Sequence, residues 1–420
     1  MSVQLCIYED ERSSRFFPLI WTRPVYDLTC GITTLREKIL RAYPGTNVCL
    51  ACRDYLRDVM REQYSGVEIN TISEEKVLFI NGRVLAEPDL ATKIPLEGED
   101  TVYVSGDDVV AVRLGGEGLA KLKKKLPQLL RRSDFEVSRE ESVDVALVGY
   151  IWELVSRNGD QIGADYRMGE GSGGVVGKVY DGVHLLNPSL ITVRESAVVK
   201  PGVVLDAEMG PVLIDEEAEV LPHAVIQGPV YIGKRSLIKI GAKIYGGTSV
   251  GEMCKVGGEV EETIIHGYSN KQHDGFLGHS YIGMWVNLGA GTNNSDLRND
   301  YENVKVFVSG ETIDSGETFV GLTMSDHSKT GINTMFNTGS VVGVSCNVFG
   351  FGFLPTFIPS FSWGRSRHGR FLEYDLSKSI KTARRVMHRR EVEMGKSYEK
   401  MLRDVYEKTA EYRRPFCKQD

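Results

Sequence analysis

Ile214, Val220, Ile226, Ile232, Ile238, Ile244, Val250 and Val256 recur at a strict spacing of six. Four positions after each stands a second, smaller column: Ala218, Ala224, Val230, Ser236, Ala242, Thr248, Cys254 and Val260. Neither the period of an α-helix nor the alternation of an ordinary strand produces this pattern. A hexapeptide period marks a parallel β-helix, in which short strands form the flat sides of a coil. The large residue points inward, above its copy in the previous coil, and the smaller one suits a tight corner. Each buried ladder residue is worth roughly 1.5–3 kcal/mol, so a slip of register loses many such terms together.

The pattern stops after Val260, and a non-repeating stretch over 261–281 follows. It resumes at Ile282 and Leu288 and breaks again at Asn293, and a third run reads Val320, Asp326, Ile332, Thr338 and Val344. Solenoids carry insertions as loops on one face, often the binding face. These interruptions hold Asn270, Lys271, His273, His279, Asn293, Asn294, Asp296 and Arg298, all groups able to do chemistry. His279 and His327 read first as structural, with a second polar site at Asp326 and His327.

The chain has 420 residues, enough for two or three domains. Residues 1–110 alternate short apolar runs with helical patterns: strands at Val3–Tyr8, Asn47–Ala51, Val77–Ile80 and Thr101–Val104, helices at Thr34–Tyr43 and Tyr55–Gln63. Such alternation predicts an α/β domain with a mostly parallel sheet. Residues 111–184 read as a charged helical region, with Leu119–Leu130 a solvated helix face, followed by a glycine-rich linker at Gly169–Gly177. The β-helix is expected over 185–350. Residues 351–420 give a Pro- and aromatic-rich crossing segment, then helices over Leu376–Tyr412 broken at Gly395, a helical cap for the coil.

A net charge of −7 gives no global basic field for nucleic acid. No apolar run is long enough to span a bilayer, and the first residues lack the pattern of a secretory signal. Seven scattered cysteines suit a reducing cytoplasm. Cys49 and Cys52 form a lone C-x-x-C that reads as buried strand residues rather than half of a zinc site.

The segment His273–Thr292, HDGFLGHSYIGMWVNLGAGT, together with the order α/β domain then hexapeptide coil, resembles the bifunctional UDP-N-acetylglucosamine pyrophosphorylase/glucosamine-1-phosphate acetyltransferase (GlmU-like) family. It is most similar to a divergent branch described as sugar nucleotidyltransferases. The resemblance implies a left-handed coil, a homotrimer with sites between subunits, and acetyl-coenzyme A as acyl donor. It places His273 on the family's catalytic base and Asn287 on a substrate-contacting Asn. Ala290 falls where a backbone N–H faces the acyl group, and Lys239 on a basic residue that binds the sugar phosphate. Three departures stand out. Phe276 replaces a Tyr that contacts the sugar phosphate, Asp296 falls near an expected Asn, and Glu259, Glu261 and Glu262 occupy the region of an expected Lys.

The N-terminal domain departs further. Tyr8–Leu28 matches the family's phosphate-binding stretch at Arg15, Pro18, Leu19 and Pro24. Glu9, Asp10 and Glu11, however, stand where glycine N–H groups should cradle a triphosphate. Val25 replaces a Lys, and Arg83 stands where a metal-binding Asp is expected. Mg²⁺ is therefore expected only if the domain is active, with Asp107 and Asp108 the remaining candidates to hold it.

Acyl transfer from a thioester to an amine needs a base, an oxyanion donor and positioned substrates. His273 can serve as base, Asn287 can orient the sugar, and N–H groups of Gly289, Ala290 and Gly291 can face the thioester carbonyl. Lys239, Lys271, Asp296 and Arg298, with Arg15 and Arg23 in the first domain, are the substrate-binding candidates. The expectation is a cytoplasmic, trimeric acyltransferase of a nucleotide-sugar or cell-envelope pathway. It acts on an amino-sugar phosphate or nucleotide-sugar, with no nucleic-acid or membrane partner. The alternatives are an active sugar-1-phosphate nucleotidyltransferase and a non-catalytic nucleotide-sugar-binding scaffold.

Overall fold

Every residue of the two hexad columns is buried in the computed structural model, which describes residues 3–126, 128–364, 371–415 and 417–418. Each coil contributes one short strand to each of three flat faces, and strands stack in parallel on their copies one coil away. On the first face Glu219–Val220, Leu237–Ile238, Lys255–Val256 and Asn270–Lys271 follow one another. On the second, Val225–Gln227, Lys243–Ile244, Glu259–Glu261 and Phe276–Gly278 do so. The third carries Val212–Ile214, Val230–Ile232, Thr248–Glu252, Ile264–Gly267 and Tyr281–Met284. The architecture is a parallel β-helix after an α/β domain. Its pairing already includes Lys178–Val179, ahead of the expected start at 185.

Two expectations about the repeat need correction. The stretch 261–281 is not an insertion. The spacing contracts at three corners, and the inward ladder continues through Val260, Ile265, Lys271, Leu277, Ile282 and Leu288. The third run was placed in the wrong frame. Its inward column is Met324, Thr330, Phe336, Val342 and Val348, whereas Ile332 is 73% exposed. Asp326 sits at a corner, buried only because the N-terminal domain covers it. A true insertion follows Asn294, where the hairpin Lys305–Val308/Glu311–Asp314 interrupts the coil.

Corners impose their own demand. At many corners the residue three after the ladder position takes a left-handed backbone: Glu217, His223, Arg235, Met253, Trp285, His327, Asn333 and Ser345 have φ between 54° and 63°, and Gly241, Gly247, Gly291 and Gly339 fill the same place elsewhere. Non-glycine residues there cost roughly 1–2 kcal/mol. They persist because the stacked coils on either side leave the chain no other path.

The N-terminal sheet has seven strands: β1 (Val3–Tyr8), β2 (Val48–Leu50), β3 (Glu68–Ile69), β4 (Lys76–Asn81), β5 (Thr101–Ser105), β6 (Asp108–Gly115) and β7 (Glu140–Ser142). Their order is β3-β2-β1-β4-β6-β5-β7, parallel except for β6. The sheet thus runs past the expected boundary at 110. The basic stretch forms a helix only over Gly116–Lys123, and Pro127 lies outside the described residues. A capping box, Thr34 with Glu37, starts the Leu35–Ala42 helix.

The two domains share buried polar contacts. Arg23 and Thr22 both bond the Asp326 carboxylate on the third face, and Ser249 Oγ donates to Gly31 O at 2.7 Å. The expected C-terminal helices are Leu376–His388 and Lys396–Lys408, with Gly395 as N-cap of the second. They fold back along the coil toward the first domain, where Met401, Leu402 and Val405 join the core of Leu50, Leu56 and Met60. Phe371, fully buried, packs into the coil's own core near its end. Among the described residues no helix is long and apolar enough to cross a membrane.

Candidate functional site

His273 lies two residues past the inward Lys271, and Ala290 two past the inward Leu288, so both occupy the corner between the first and second faces. They sit one coil apart. Asn270 pairs with Asn287, and Gly291 N–H donates to Asp274 O at 2.9 Å. One coil rises about 4.8 Å. The His273 imidazole is exposed and has no side-chain partner among the described residues. Gly291 is required at the turn: its φ is +69°, and a Cβ would meet Asn333 Oδ1 at 2.1 Å.

Of the three N–H groups expected to face an acyl carbonyl, two are committed. Gly289 N–H donates to Thr330 Oγ1 at 2.8 Å and Gly291 N–H to Asp274. Ala290 N–H alone has no acceptor among the described residues, while its carbonyl accepts from Asn333 N–H at 2.7 Å.

Asn287 lies on the first face in an outward column of Lys255, Asn270, Asn287 and Lys329 on successive coils. Asn270 Nδ2 donates to Asn287 Oδ1 at 3.2 Å, and Arg390, just past the Leu376–His388 helix, donates to Asn270 Oδ1 at 2.6 Å. The column and this helix end enclose a cleft of about 340 Å³ that also includes Gln272, the chain neighbour of His273. Its charge is one-sided. Lys255, Lys329, Arg389 and Arg390 line it, Lys239 stands beside Lys255, and none has a carboxylate partner among the described residues. Burial pushes Lys329 down to about 8. Burial, then the nearby Arg390, Lys239 and Arg389, lowers Lys255. Unpaired cations that repel one another in a cleft favour a bound anion.

Other expected residues go elsewhere. Lys271 points into the coil, where its ammonium donates to Gly257 O at 3.0 Å and His273 O at 2.6 Å. It braces the corner below His273 and is not free to meet a substrate. Arg298 is paired with Asp300 and Glu302 of its own loop. Arg15 lies over the Tyr150 ring, 5.0 Å from its centroid. Asp296 pairs with His279, Oδ2 to Nδ1 at 2.8 Å, and His279 stacks on Phe319. This dyad lies at the opposite corner of the second face. Sequence reading missed Lys255, Lys329, Arg389 and Arg390; the last two are far along the chain from the coil segment that they face.

The N-terminal domain does not fit a metal-dependent nucleotidyl transfer site. Arg83 is buried, with Nη2 donating to Asp10 Oδ2 at 2.7 Å and Asp108 Oδ1 at 2.5 Å, and Nη1 donating to Val148 O at 2.8 Å. A guanidinium therefore occupies the space between the two carboxylates that a divalent cation would need. Hydrogen bonds and charge from Arg83, against the opposing effect of burial, lower Asp10. Asp10 also accepts from Ser13 N–H at 3.0 Å, capping the short helix whose N–H groups would meet a phosphate. Glu9, 2% exposed, accepts from Val25 N–H and Arg53. Among the described residues no group of three or more His, Cys, Asp or Glu could hold a metal ion.

Residues 5–171 match the sugar nucleotidyl transferase family. A bifunctional sugar-1-phosphate nucleotidylyltransferase/acetyltransferase of Sulfurisphaera tokodaii is 38% identical over 142 residues, 33% of this chain and 35% of that protein. Over these segments the chain is similar to bifunctional nucleotidylyltransferase/acetyltransferases of the GlmU type. The bifunctional protein GlmU of Synechococcus elongatus is 27% identical over 182 residues, 39% of this chain and 36% of the relative. The chain thus spans little more than a third of these relatives' length. Among solved structures, a UDP-N-acetylglucosamine acyltransferase of Francisella novicida overlaps 57% of this chain and 89% of its own, with 12% identity and a TM-score of 0.25.

Proposed function

We propose that this GlmU-like chain transfers an acyl group, acetyl in the simplest case, from coenzyme A to the amine of a sugar phosphate or nucleotide-sugar. The observation that carries this reading is the corner at which exposed His273 and the free N–H of Ala290 stand one coil apart. Beside it lies a cationic cleft floored by Asn287.

The chemistry follows from those placements. His273 takes a proton from the acceptor amine as its nitrogen attacks the thioester carbonyl. Negative charge develops on the carbonyl oxygen, and Ala290 N–H donates to it. Collapse breaks the carbon–sulfur bond, and the thiolate leaves with the proton held on His273. The cleft holds the acceptor's phosphate, and Asn287 orients the sugar between phosphate and base. Nucleotidyl transfer by the first domain is not part of the proposal, because Arg83 fills the cation position.

The assembly is a homotrimer in this reading, with donor sites along the corners where subunits meet. The second face presents exposed Val225 and Met335 for that contact. Light scattering should give three times the chain mass, and a monomer would remove the intersubunit donor site. Free thiol released from acetyl-coenzyme A, scanned over amino-sugar phosphates and nucleotide-linked amino sugars, tests the activity. A mass gain of one acyl group on the acceptor is expected; no release with any amine would end the acyltransferase reading.

A further inference from the structure

The Leu376–His388 helix has no acidic residue, and its buried side is Ser379, Ile380, Ala383 and Met387. On the opposite side Lys378, Lys381, Arg385 and then Arg389 recur at helical spacing and form one ridge. All four are exposed, and none has a carboxylate partner among the described residues. The neighbouring Lys396–Lys408 helix shows the ordinary alternative. Its solvent side mixes signs and pairs them one turn apart, Lys400 with Asp404 and Arg403 with Glu399. Nor does the helix dipole account for the ridge: it favours Arg385 in the last turn but disfavours Lys378 in the first.

The ridge runs along the coil. Its helix begins after Tyr374, whose N–H donates to Phe361 O near the coil's end, and Arg390 past the other end reaches Asn270. Asn270, Asn287, Lys329 and Asn347 stand on successive coils of the first face. At about 4.8 Å per coil and 1.5 Å per helical residue, Arg385 and Lys381 bracket the coil of Lys329. That coil turns its corner at Ile332, an exposed apolar side chain in the place that Ala290 takes one coil below. The next residue, Asn333, donates its N–H to Ala290 O.

We propose that this ridge holds the phosphates of coenzyme A, whose pantetheine arm crosses the first face along the Lys329 coil and passes Ile332 to bring the thioester to Ala290. Each part meets what it needs. The phosphates find cations without counter-ions, among them guanidinium groups suited to bidentate bonds. The arm's methyl and methylene groups cover Ile332. The first face is three or four residues wide, about 10–14 Å. From sulfur to the nearest phosphorus the arm has about thirteen bonds, about 16 Å when extended at ~3.6 Å for every three bonds, enough to cross the face. The acceptor keeps the lower coils of Lys255 and Asn270, so the two substrates reach the corner side by side.

This inference rests on the acyltransferase reading for its donor, but binding can be measured without an acceptor. Calorimetry on the full chain would compare coenzyme A with 3′-dephospho-coenzyme A. Wild type should bind coenzyme A roughly tenfold more tightly, the effect of one charge-assisted contact to the extra phosphate. Lys381→Glu combined with Arg385→Glu should erase that preference; Lys381→Gln with Arg385→Gln should do the same if the reversal does not fold. Ile332→Ser should weaken both ligands and keep the preference. Lys400→Glu, on the other helix, should change neither. No preference in wild type, a preference intact in both ridge variants, or one erased by Lys400→Glu as well overturns the proposal. Unchanged affinities in Ile332→Ser overturn the path of the arm. A ridge that selects coenzyme A in this way in a chain that releases no thiol with any acceptor keeps the site and ends the acyltransferase reading. Thiol release with a KM for acetyl-coenzyme A that the ridge variants leave unmoved does the reverse.

Discussion

Replacing Lys271 by Met should remove one contribution to the pH dependence of the coil's stability above neutrality. Lys271 occupies an inward ladder position between Val256 below and Leu288 above. Burial lowers its pKa from the ordinary 10.5 to about 8. Below that value both folded and unfolded chains hold the proton, so this group gives no pH dependence. Between about pH 8 and 10.5 the unfolded chain keeps the proton and the folded one has lost it, so stability rises with pH. Above that range both are neutral and the curve is level again. At about 1.4 kcal/mol per pKa unit the rise is ~3 kcal/mol. Lys271→Met, unbranched and apolar, lacks this term. Buried Tyr and Cys residues titrate in both proteins and cancel in the difference. Urea unfolding followed by circular dichroism at several pH values should show wild type gaining ~3 kcal/mol on Lys271→Met between pH 7.5 and 11. A constant difference across that range would show that the ammonium is not in a dry position. The variant should also lose activity, because the bonds to Gly257 O and His273 O that brace the corner are gone.

Arg83→Ala should destabilise the first domain by roughly 3 kcal/mol, since it takes the guanidinium from half-buried Asp10 and leaves Asp108 with Arg12 alone; Mn²⁺ should restore part of the loss, and calorimetric unfolding with and without the ion checks both. Ile238→Asp should abolish folding or assembly of the coil, because an unpaired charge enters a dry column, as size-exclusion chromatography would show. Asn287→Ala should raise the acceptor's KM with a smaller effect on kcat, the pattern of a residue that orients the ground state; equal loss in kcat would place Asn287 in the transition state instead.

The parts of the fold legible in the sequence were those in which one residue type answers one physical demand. Ile214 to Val256 stand at fixed spacing because each must fill the same interior slot. Legibility failed where that demand relaxes. After Val256 the ladder shortens between 256 and 260, 260 and 265, and 277 and 282, and Lys271 replaces an apolar ladder residue, so the coil over 261–281 looked like an insertion. In the third run Thr330 breaks the true column while Val320 and Val344 mimic a false one. The left-handed corners carry Glu, His and Arg as readily as glycine, so no composition signal marks them.

The site was legible to the same degree. His273, Asn287 and Ala290 lie close in sequence, and two coils bring them to neighbouring places. The cationic wall was not legible, because Arg390 meets Asn270 from 120 residues away. In the first domain, Glu9, Asp10 and Glu11 read as standing in place of a phosphate cradle, and Arg83 in place of a metal-binding Asp. That Arg83 itself replaces the metal required the fold, since Asp108 reaches it from a different strand.

The most direct test of the account is the pH–rate profile of acyl transfer for wild type and His273→Ala under saturating acetyl-coenzyme A. With His273 as base, wild type should show a limb that rises with pH as the base loses its proton. His273→Ala should lower kcat by roughly 10²–10⁴-fold and lose the limb, with coenzyme A binding unchanged. Full activity in His273→Ala, or a limb that survives the substitution, would contradict the account and move attention to the His279–Asp296 dyad.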